Sequence, residues 1–153
     1  MTEVISTVAG VRAWCDTRRA QGHTVGVIPT MGYLHDGHCS LMRAAREQCE
    51  AVVVTIFVNP MQFGPNEDLD KYPRDEDGDV LKLGKAGCHL IYVPNPEEIY
   101  PDGFCTTVSL AGPAKAGLED KFRPQFFEFC FDERRRSLSA AGFRGERIGV
   151  GTF

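Results

Sequence analysis

Residues 25–45, which read V-G-V-I-P-T-M-G-Y-L-H-D-G-H-C-S-L-M-R-A-A, predict a strand, a glycine-containing turn and a helix in succession. Val25, Val27 and Ile28 end an apolar run of the kind that a buried parallel strand requires. Pro29 has no N–H to donate to a sheet, so we expect the strand to end there. Apolar residues then recur with a helical period, and we expect a helix from about residue 37 to residue 49.

Two histidines, His35 and His38, lie where this turn becomes the helix. A helix N-terminus presents free N–H groups and a partial positive charge, which together favour an anion. One helical turn separates the histidines, so both can reach one ligand, and Gly37 leaves room for a phosphate or a nucleotide against the backbone. Spacing alone leaves three interpretations open: a phosphate site, half of a zinc site, or two surface histidines without a role.

The rest of the chain alternates between strand and helix patterns. Strands are predicted at residues 24–28, 51–57, 89–93 and 105–110, and helices at residues 6–21, 37–49 and 75–86. The clearest strand is A-V-V-V-T-I-F at 51–57, whose β-branched run is typical of a strand covered on both faces. The β-α-β-α-β order predicts an α/β fold, a doubly wound parallel sheet with helices on both faces. The long loop 58–73 follows a strand's carboxyl end, where such sheets bind ligands.

Composition limits the classes of protein that are compatible with this chain. A length of 153 residues predicts one domain. A net charge of −4 gives no general attraction to nucleic acid or to an anionic membrane, and no apolar stretch is long enough to span a bilayer. The N-terminus lacks the pattern of a signal peptide, so we expect a cytoplasmic protein. Its six cysteines, none in a C-x-x-C pair, are then expected to be reduced and mostly buried.

Three blocks of sequence, in this order, resemble one family. They are P-T-M-G-Y-L-H-D-G-H-C-S-L at 29–41, F-V-N-P-M-Q-F at 57–63 and D-L-D-K-Y-P-R-D at 68–75. The pattern resembles pantothenate synthetases (pantoate–β-alanine ligases), members of the nucleotidyltransferase superfamily that share an H-x-G-H motif. The resemblance implies a Rossmann-like nucleotidyltransferase fold and covers about four-fifths of this chain, but only about half of a full family member. We therefore expect a truncated form, with a partial nucleotide-binding domain at residues 1–124.

The tail at residues 125–153 departs from the family pattern. Its sequence has no clean helical or strand period after Ser139 and contains five arginines among scattered acidic residues. We interpret it as a divergent ending, either disordered or read in another frame. Half of a doubly wound sheet would leave an open edge, and family members are dimeric, so we expect self-association.

The resemblance also implies a reaction and a set of site residues. The family joins D-pantoate to β-alanine with ATP and Mg²⁺ through a pantoyl-adenylate, and it releases pyrophosphate and AMP. His35 and His38 would be catalytic and would hold the ATP phosphates. Residues implied at the ATP site are Pro29, Thr30, Met31, Gly32, His35, Gly37 and His38, and those implied at the pantoate site are Met31, Gln62 and Tyr72. No protein ligand for the metal is implied. Asn59 is expected to hold the 58–73 loop in place and not to contact substrate.

Two other functions are compatible with these motifs. The chain could be a catalytically inactive, nucleotide-binding fragment of such an enzyme, or a nucleotidyltransferase that adenylylates a phosphate ester. The P-T-M-G and F-V-N-P-M-Q-F blocks favour the ligase over the latter.

Overall fold

A parallel four-stranded sheet forms the centre of the computed structural model, which describes residues 2–64, 67, 69–106 and 126–142. The strands are β1 (Glu3–Ile5), β2 (Val25–Thr30), β3 (Ala51–Ile56) and β4 (Leu90–Tyr92), in the spatial order β1-β4-β3-β2. Val25 lies opposite Ala51, and Val53 lies opposite Leu90. Every residue of β3 is buried, as its unbroken apolar run predicts.

Five helices of the described ranges connect or cover these strands: α1 (Val8–Ala20), α2 (Asp36–Gln48), α3 (Glu76–Lys85), α4 (Pro96–Ile99) and α5 (Phe126–Ala140). Two short 3₁₀ turns, Pro60–Gln62 and Leu69–Lys71, interrupt the loop between β3 and α3. Side-chain caps set the helix starts, since Thr7 accepts from Gly10 N at 3.1 Å and Asp75 accepts from Gly78 N at 3.1 Å.

Alternate residues of β3 point into two separate cores. Val53 packs with Val11 and Cys15 of α1 and with the end of α5, whereas Val52 and Val54 pack with α2 and α3. Helices therefore cover both faces of the sheet. The prediction of a doubly wound α/β fold is confirmed.

The expected end of β2 at Pro29 is wrong. The strand continues through Pro29 to Thr30, and Pro29 lies opposite Thr55 of β3. Within the described residues β2 is paired on one side only, and an edge strand tolerates proline because one side of it needs no N–H donors.

The one-turn helix α4 and two further elements of the described chain lie where the sequence patterns predict none. β1 has three residues, too few to show a period, and pairs with β4. α5 occupies part of the tail, and Ala140 and Ala141 at its end lie in the core beside α1. A strand at residues 105–110 falls mainly outside the described residues, and the domain boundary at residue 124 stays a prediction.

Each described cysteine is a free thiol. Among the described residues no helix has the length and apolar character that crossing a membrane requires.

Candidate active site

The carboxyl ends of β2, β3 and β4 border a cavity of about 320 Å³. Its lining includes Met31 and Gly32 after β2, Phe57 after β3, Pro94 after β4, Arg74 of the long loop and Asp79 of α3. Open parallel sheets bind ligands at this edge. The cavity therefore lies where the topology of the sheet favours a site.

The turn between β2 and α2 has an unusual backbone. Gly32 has φ +78°, and Tyr33 has φ +50°, a conformation that costs a non-glycine residue about 1–2 kcal/mol. A Cβ atom on Gly32 would lie 3.0 Å from Ile56 Cγ2 and 3.1 Å from Asp79 Oδ2. Both the φ angle and the close approach of β3 and α3 therefore require glycine at this position.

Thr30 supports this turn from inside the protein. Its buried hydroxyl donates to the carbonyl oxygen of Thr55 at 2.7 Å and accepts from Gly32 N at 3.2 Å. The Thr30 side chain thus joins the turn to β3.

His35 and His38 form a capping pair at the N-terminus of α2. Gly37 N donates to His35 Nδ1 at 3.1 Å, His35 N donates to His38 Nδ1 at 3.3 Å, and the ring centroids are 4.1 Å apart. A Cβ atom on Gly37 would lie 2.9 Å from His35 Cε1, so glycine allows the ring to take this position. The structure therefore brings both predicted histidines together at a helix N-terminus.

This capping arrangement determines where the imidazole protons lie. A ring nitrogen that accepts a backbone N–H carries no proton, so each neutral ring is protonated at Nε2. Burial and the neighbouring His35 lower the pKa of His38, and the charge of Asp79 opposes this. His38 is therefore a neutral hydrogen-bond donor at neutral pH.

Asp79 holds the turn that precedes the histidines. Its side chain is 1% exposed, and its two carboxylate oxygens accept from Tyr33 N at 2.7 Å and Leu34 N at 2.8 Å. Lys82, one helical turn later, lies 3.8 Å from Asp79 Oδ1 and donates to the Leu34 carbonyl oxygen at 3.0 Å. The N–H and the C=O of Leu34 are thus both held by α3.

The long loop contains Gln62 and Tyr72, two of the three residues implied at the pantoate site. Asn59 is fully buried and its Oδ1 accepts from Met61 N at 3.1 Å, so Asn59 holds the loop, as expected. Gln62 is also buried, and Tyr72 packs edge to face against Phe63 with centroids 5.8 Å apart. Burial, and to a smaller extent the negative charge of Asp79, raise the pKa of the Tyr72 hydroxyl.

The predicted residues take different positions around the cavity. Of the residues implied at the ATP and pantoate sites, Met31 and Gly32 line it. The histidines lie at the α2 terminus that follows these two residues, whereas Thr30 and Gln62 are buried in the surrounding structure. Sequence reasoning missed Asp79 and Arg74. Arg74 lies in the family-like block at 68–75, so the sequence offered a signal for it. Asp79 lies in D-E-D-G-D at 75–79, where the preference of a helix N-terminus for acidic residues is a sufficient explanation.

Within the described ranges no cluster of three histidine, cysteine or acidic side chains is arranged to hold a metal ion. The histidine pair is also unsuited to be half of a zinc site in this arrangement, because each Nδ1 is occupied by a backbone N–H.

Comparison with known proteins connects this geometry to a family. The family model described as pantoate-beta-alanine ligase matches residues 3–131. A pantothenate synthetase from Maricaulis maris is 54% identical over 118 residues, which are 77% of this chain and 39% of that protein. One from Cereibacter sphaeroides is 50% identical over 128 residues, which are 84% of this chain and 46% of that protein.

Solved structures give the same result. Pantothenate synthetase from Thermus thermophilus superposes with a TM-score of 0.81 at 40% identity, and the match covers 92% of this chain and 49% of that protein. A pantoate-beta-alanine ligase from Francisella tularensis, complexed with beta-gamma ATP and beta-alanine, has a TM-score of 0.84 at 30% identity, and the match covers 92% of this chain and 54% of that protein.

The chain thus spans about half the length, or less, of the relatives that it matches. The match includes β1 to β4, the histidine turn and the loop that borders the cavity. The chain belongs to the pantoate–β-alanine ligase family.

Proposed function

We propose that this chain contributes the adenylation part of an ATP-dependent ligase that joins D-pantoate to β-alanine. The observation that carries the proposal is the pair of imidazoles that cap α2 through Nδ1 and keep their protons on Nε2. Two imidazole N–H donors beside a helix N-terminus suit the oxygens of a triphosphate. The complex of the Francisella tularensis relative with beta-gamma ATP and beta-alanine supports the substrate class.

The proposed reaction has two steps. A pantoate carboxylate oxygen attacks the α-phosphorus of ATP, the bond from that phosphorus to the bridging oxygen breaks, and pyrophosphate leaves. The β-alanine amine then attacks the acyl carbon, loses a proton, and displaces AMP. Neither step needs a side-chain nucleophile, so positioning and charge stabilisation at phosphorus account for the protein's part.

The described residues have distinct parts in this proposal. His35 and His38 donate from Nε2 to phosphate oxygens as negative charge moves towards the leaving pyrophosphate. Met31 and Gly32 form the cavity wall beside the reacting groups, and their placement depends on Thr30. Pro29, at the end of the edge strand, and Gly37, under the His35 ring, complete the proposed ATP site.

Gln62 and Tyr72 are proposed to orient pantoate. Their support is the position of their loop, which leaves the carboxyl end of β3 and borders the cavity through Pro60 and Leu69. The Gln62 amide has donors and an acceptor suited to a hydroxy acid.

Magnesium is proposed to enter with ATP, bound to the phosphate oxygens and water. Mg²⁺ in phosphate chemistry keeps several waters and needs few protein ligands, so ATP and water can supply most of its coordination. When bound, the ion would neutralise phosphate charge.

A homodimer and a cytoplasmic location are proposed on the family resemblance. The edge strand β2 supports self-association, because it is paired on one side only within the described residues. Light scattering would measure the mass in solution.

The test is pyrophosphate release from ATP, Mg²⁺ and D-pantoate in the absence of β-alanine. His38→Asn is the sharpest variant, because the asparagine oxygen can replace Nδ1 as the capping acceptor while the Nε2 donor is lost. Loss of one such donor is expected to lower the rate by about 10²–10³-fold. The matched control is His23→Ala. His23 precedes the N-terminal end of β2, the end opposite the cavity, so this variant should leave the rate unchanged.

The proposal is supported if the chain releases pyrophosphate only with pantoate present and if His38→Asn lowers that rate by about 10²–10³-fold. A folded chain that binds ATP and releases no pyrophosphate would favour the second candidate, an inactive nucleotide-binding fragment. That candidate is kept because the chain spans about half the length of its relatives.

A further inference from the structure

Asp79 is a buried charged residue that the proposed reaction does not use directly. It lies on the first turns of α3, 45 residues after Leu34 in the chain, and yet both of its carboxylate oxygens are bonded to the turn before the histidines. Burying a carboxylate is unfavourable unless its oxygens accept hydrogen bonds. The two backbone N–H donors therefore offset much of the free-energy cost of burying Asp79.

The backbone that Asp79 holds is strained. Tyr33 has φ +50° and is 56% exposed, so its own side chain has little packing to keep it in place. Strained backbone persists only where surrounding contacts determine it. The contacts to Asp79 and Lys82 supply that constraint, since α3 holds the Tyr33 N–H and both the N–H and the C=O of Leu34.

This turn joins the cavity to the histidine pair. Met31 and Gly32 on one side of it line the cavity, and His35 on the other side is the N-cap of α2. A shift of the Tyr33 and Leu34 peptides would therefore move the cavity wall and the His35 ring relative to each other.

We propose that Asp79, assisted by Lys82, is a positioning residue: its buried carboxylate fixes the Met31–His35 turn, and so sets the position of the two histidines relative to the cavity wall formed by Met31 and Gly32. The inference rests on the proposed function for its catalytic consequence. Its structural part, that Asp79 determines the placement of the histidine rings, can be tested without activity.

The test variant is Asp79→Asn, which keeps the shape of the side chain but presents an NH₂ group to one of the two backbone N–H donors. Asp77→Asn is the matched control, because it makes the same substitution at an exposed position of the same helix turn, outside the cavity lining. Circular dichroism and thermal unfolding establish that each variant is folded.

The first measurement is the steady-state rate of pantoate-dependent pyrophosphate release. Misplacement by about 1 Å can lower a rate by about 100-fold, so we expect kcat of Asp79→Asn to fall by that order while KM for ATP and pantoate changes little. Asp77→Asn should match the unsubstituted chain. A folded Asp79→Asn with unchanged kcat would overturn the proposal.

The second measurement distinguishes failure of this proposal from failure of the proposed function. Nitrogen NMR of the imidazoles reports the Nε2–H tautomers and the ring environments of His35 and His38 in the chain without substrate. We expect Asp79→Asn to change these signals and Asp77→Asn to leave them as they are. If the chain releases no pyrophosphate but the signals change, the proposed function fails and the positioning role stands. Unchanged signals would refute the positioning role.

Lys82→Met provides a second variant in case Asp79→Asn does not fold. It removes the bond from a partly exposed amine to the Leu34 carbonyl oxygen and the ion pair of that amine with Asp79, but it leaves both Asp79 bonds to the turn and the aliphatic stem in place, so the fold should be retained. We expect the same histidine signals to move, by less than in Asp79→Asn. No change in them would count against the proposal.

Discussion

Replacing Gly32 by alanine would test whether the turn between β2 and α2 is held as tightly as its geometry indicates. Gly32 combines φ +78° with two close neighbours, Ile56 Cγ2 and Asp79 Oδ2. Gly22 and Gly103 have similar angles, φ +81° and +76°, but a Cβ atom on either would meet nothing within 4 Å. The three glycines therefore separate the cost of the φ angle from the cost of the contacts.

The expected magnitudes follow from these differences. Alanine in the left-handed region costs about 1–2 kcal/mol, and the less flexible unfolded chain returns about 0.4–1 kcal/mol, so Gly22→Ala and Gly103→Ala should each lower the free energy of unfolding by about 1 kcal/mol. Displacing packed neighbours typically costs a further 1–3 kcal/mol, so Gly32→Ala should cost about 2–4 kcal/mol.

Urea unfolding followed by circular dichroism would measure the three free energies of unfolding, and pyrophosphate release would be measured in parallel. Because the methyl group is directed at Asp79, Gly32→Ala should also lower the rate of release. The reasoning would be refuted if Gly32→Ala were no more destabilising than Gly22→Ala and Gly103→Ala.

Two other predictions concern titration. Because burial, then His35, lowers the pKa of His38 in the fold, the unfolded chain binds that proton more readily, and the free energy of unfolding should fall as pH drops below about 6.5. In urea unfolding, His38→Asn should reduce the dependence of the free energy of unfolding on pH. The remaining dependence should come from His89, whose pKa is also lowered, mainly by burial and then by Arg46. An unchanged pH dependence in His38→Asn would contradict the assignment to His38. Burial raises the pKa of Cys15 and of Cys88 to about 11, so in the folded protein at pH 8 iodoacetamide should modify exposed Cys105 and spare these two thiols. Mass spectrometry of the labelled peptides would check this, and alkylation of Cys15 or Cys88 at the rate of Cys105 would show that the reasoning from burial is wrong.

Local sequence patterns predicted those elements of the fold whose secondary structure is indicated by their own residues. The A-V-V-V-T-I run of β3 can be buried on both faces only in a covered sheet, and the confirmed strand follows from that. The start of α2 lies within one residue of the predicted position, because the glycine-containing turn and the helical period that follows it mark a helix N-terminus locally. The H-D-G-H spacing likewise places both imidazoles at one helix end.

Elements that depend on distant partners were not predictable in this way. β1 is a strand because β4 lies beside it, and three residues show no period of their own. Pro29 remains in β2 because that strand has no described partner on its other side, which is a property of the sheet order. α5 ends in the core beside α1, a contact between segments more than a hundred residues apart.

The same division holds at the site. The β-α-β order, the histidine turn and, through its motifs, the family follow from the residue order alone, because these features are encoded in neighbouring residues. The contact of Asp79 with the Tyr33 and Leu34 amides depends on the fold, since nothing in a run of acidic residues at a helix start distinguishes the one carboxylate that turns inward. A buried carboxylate requires hydrogen-bond donors, and here the fold brings those donors from a segment 45 residues away in the chain.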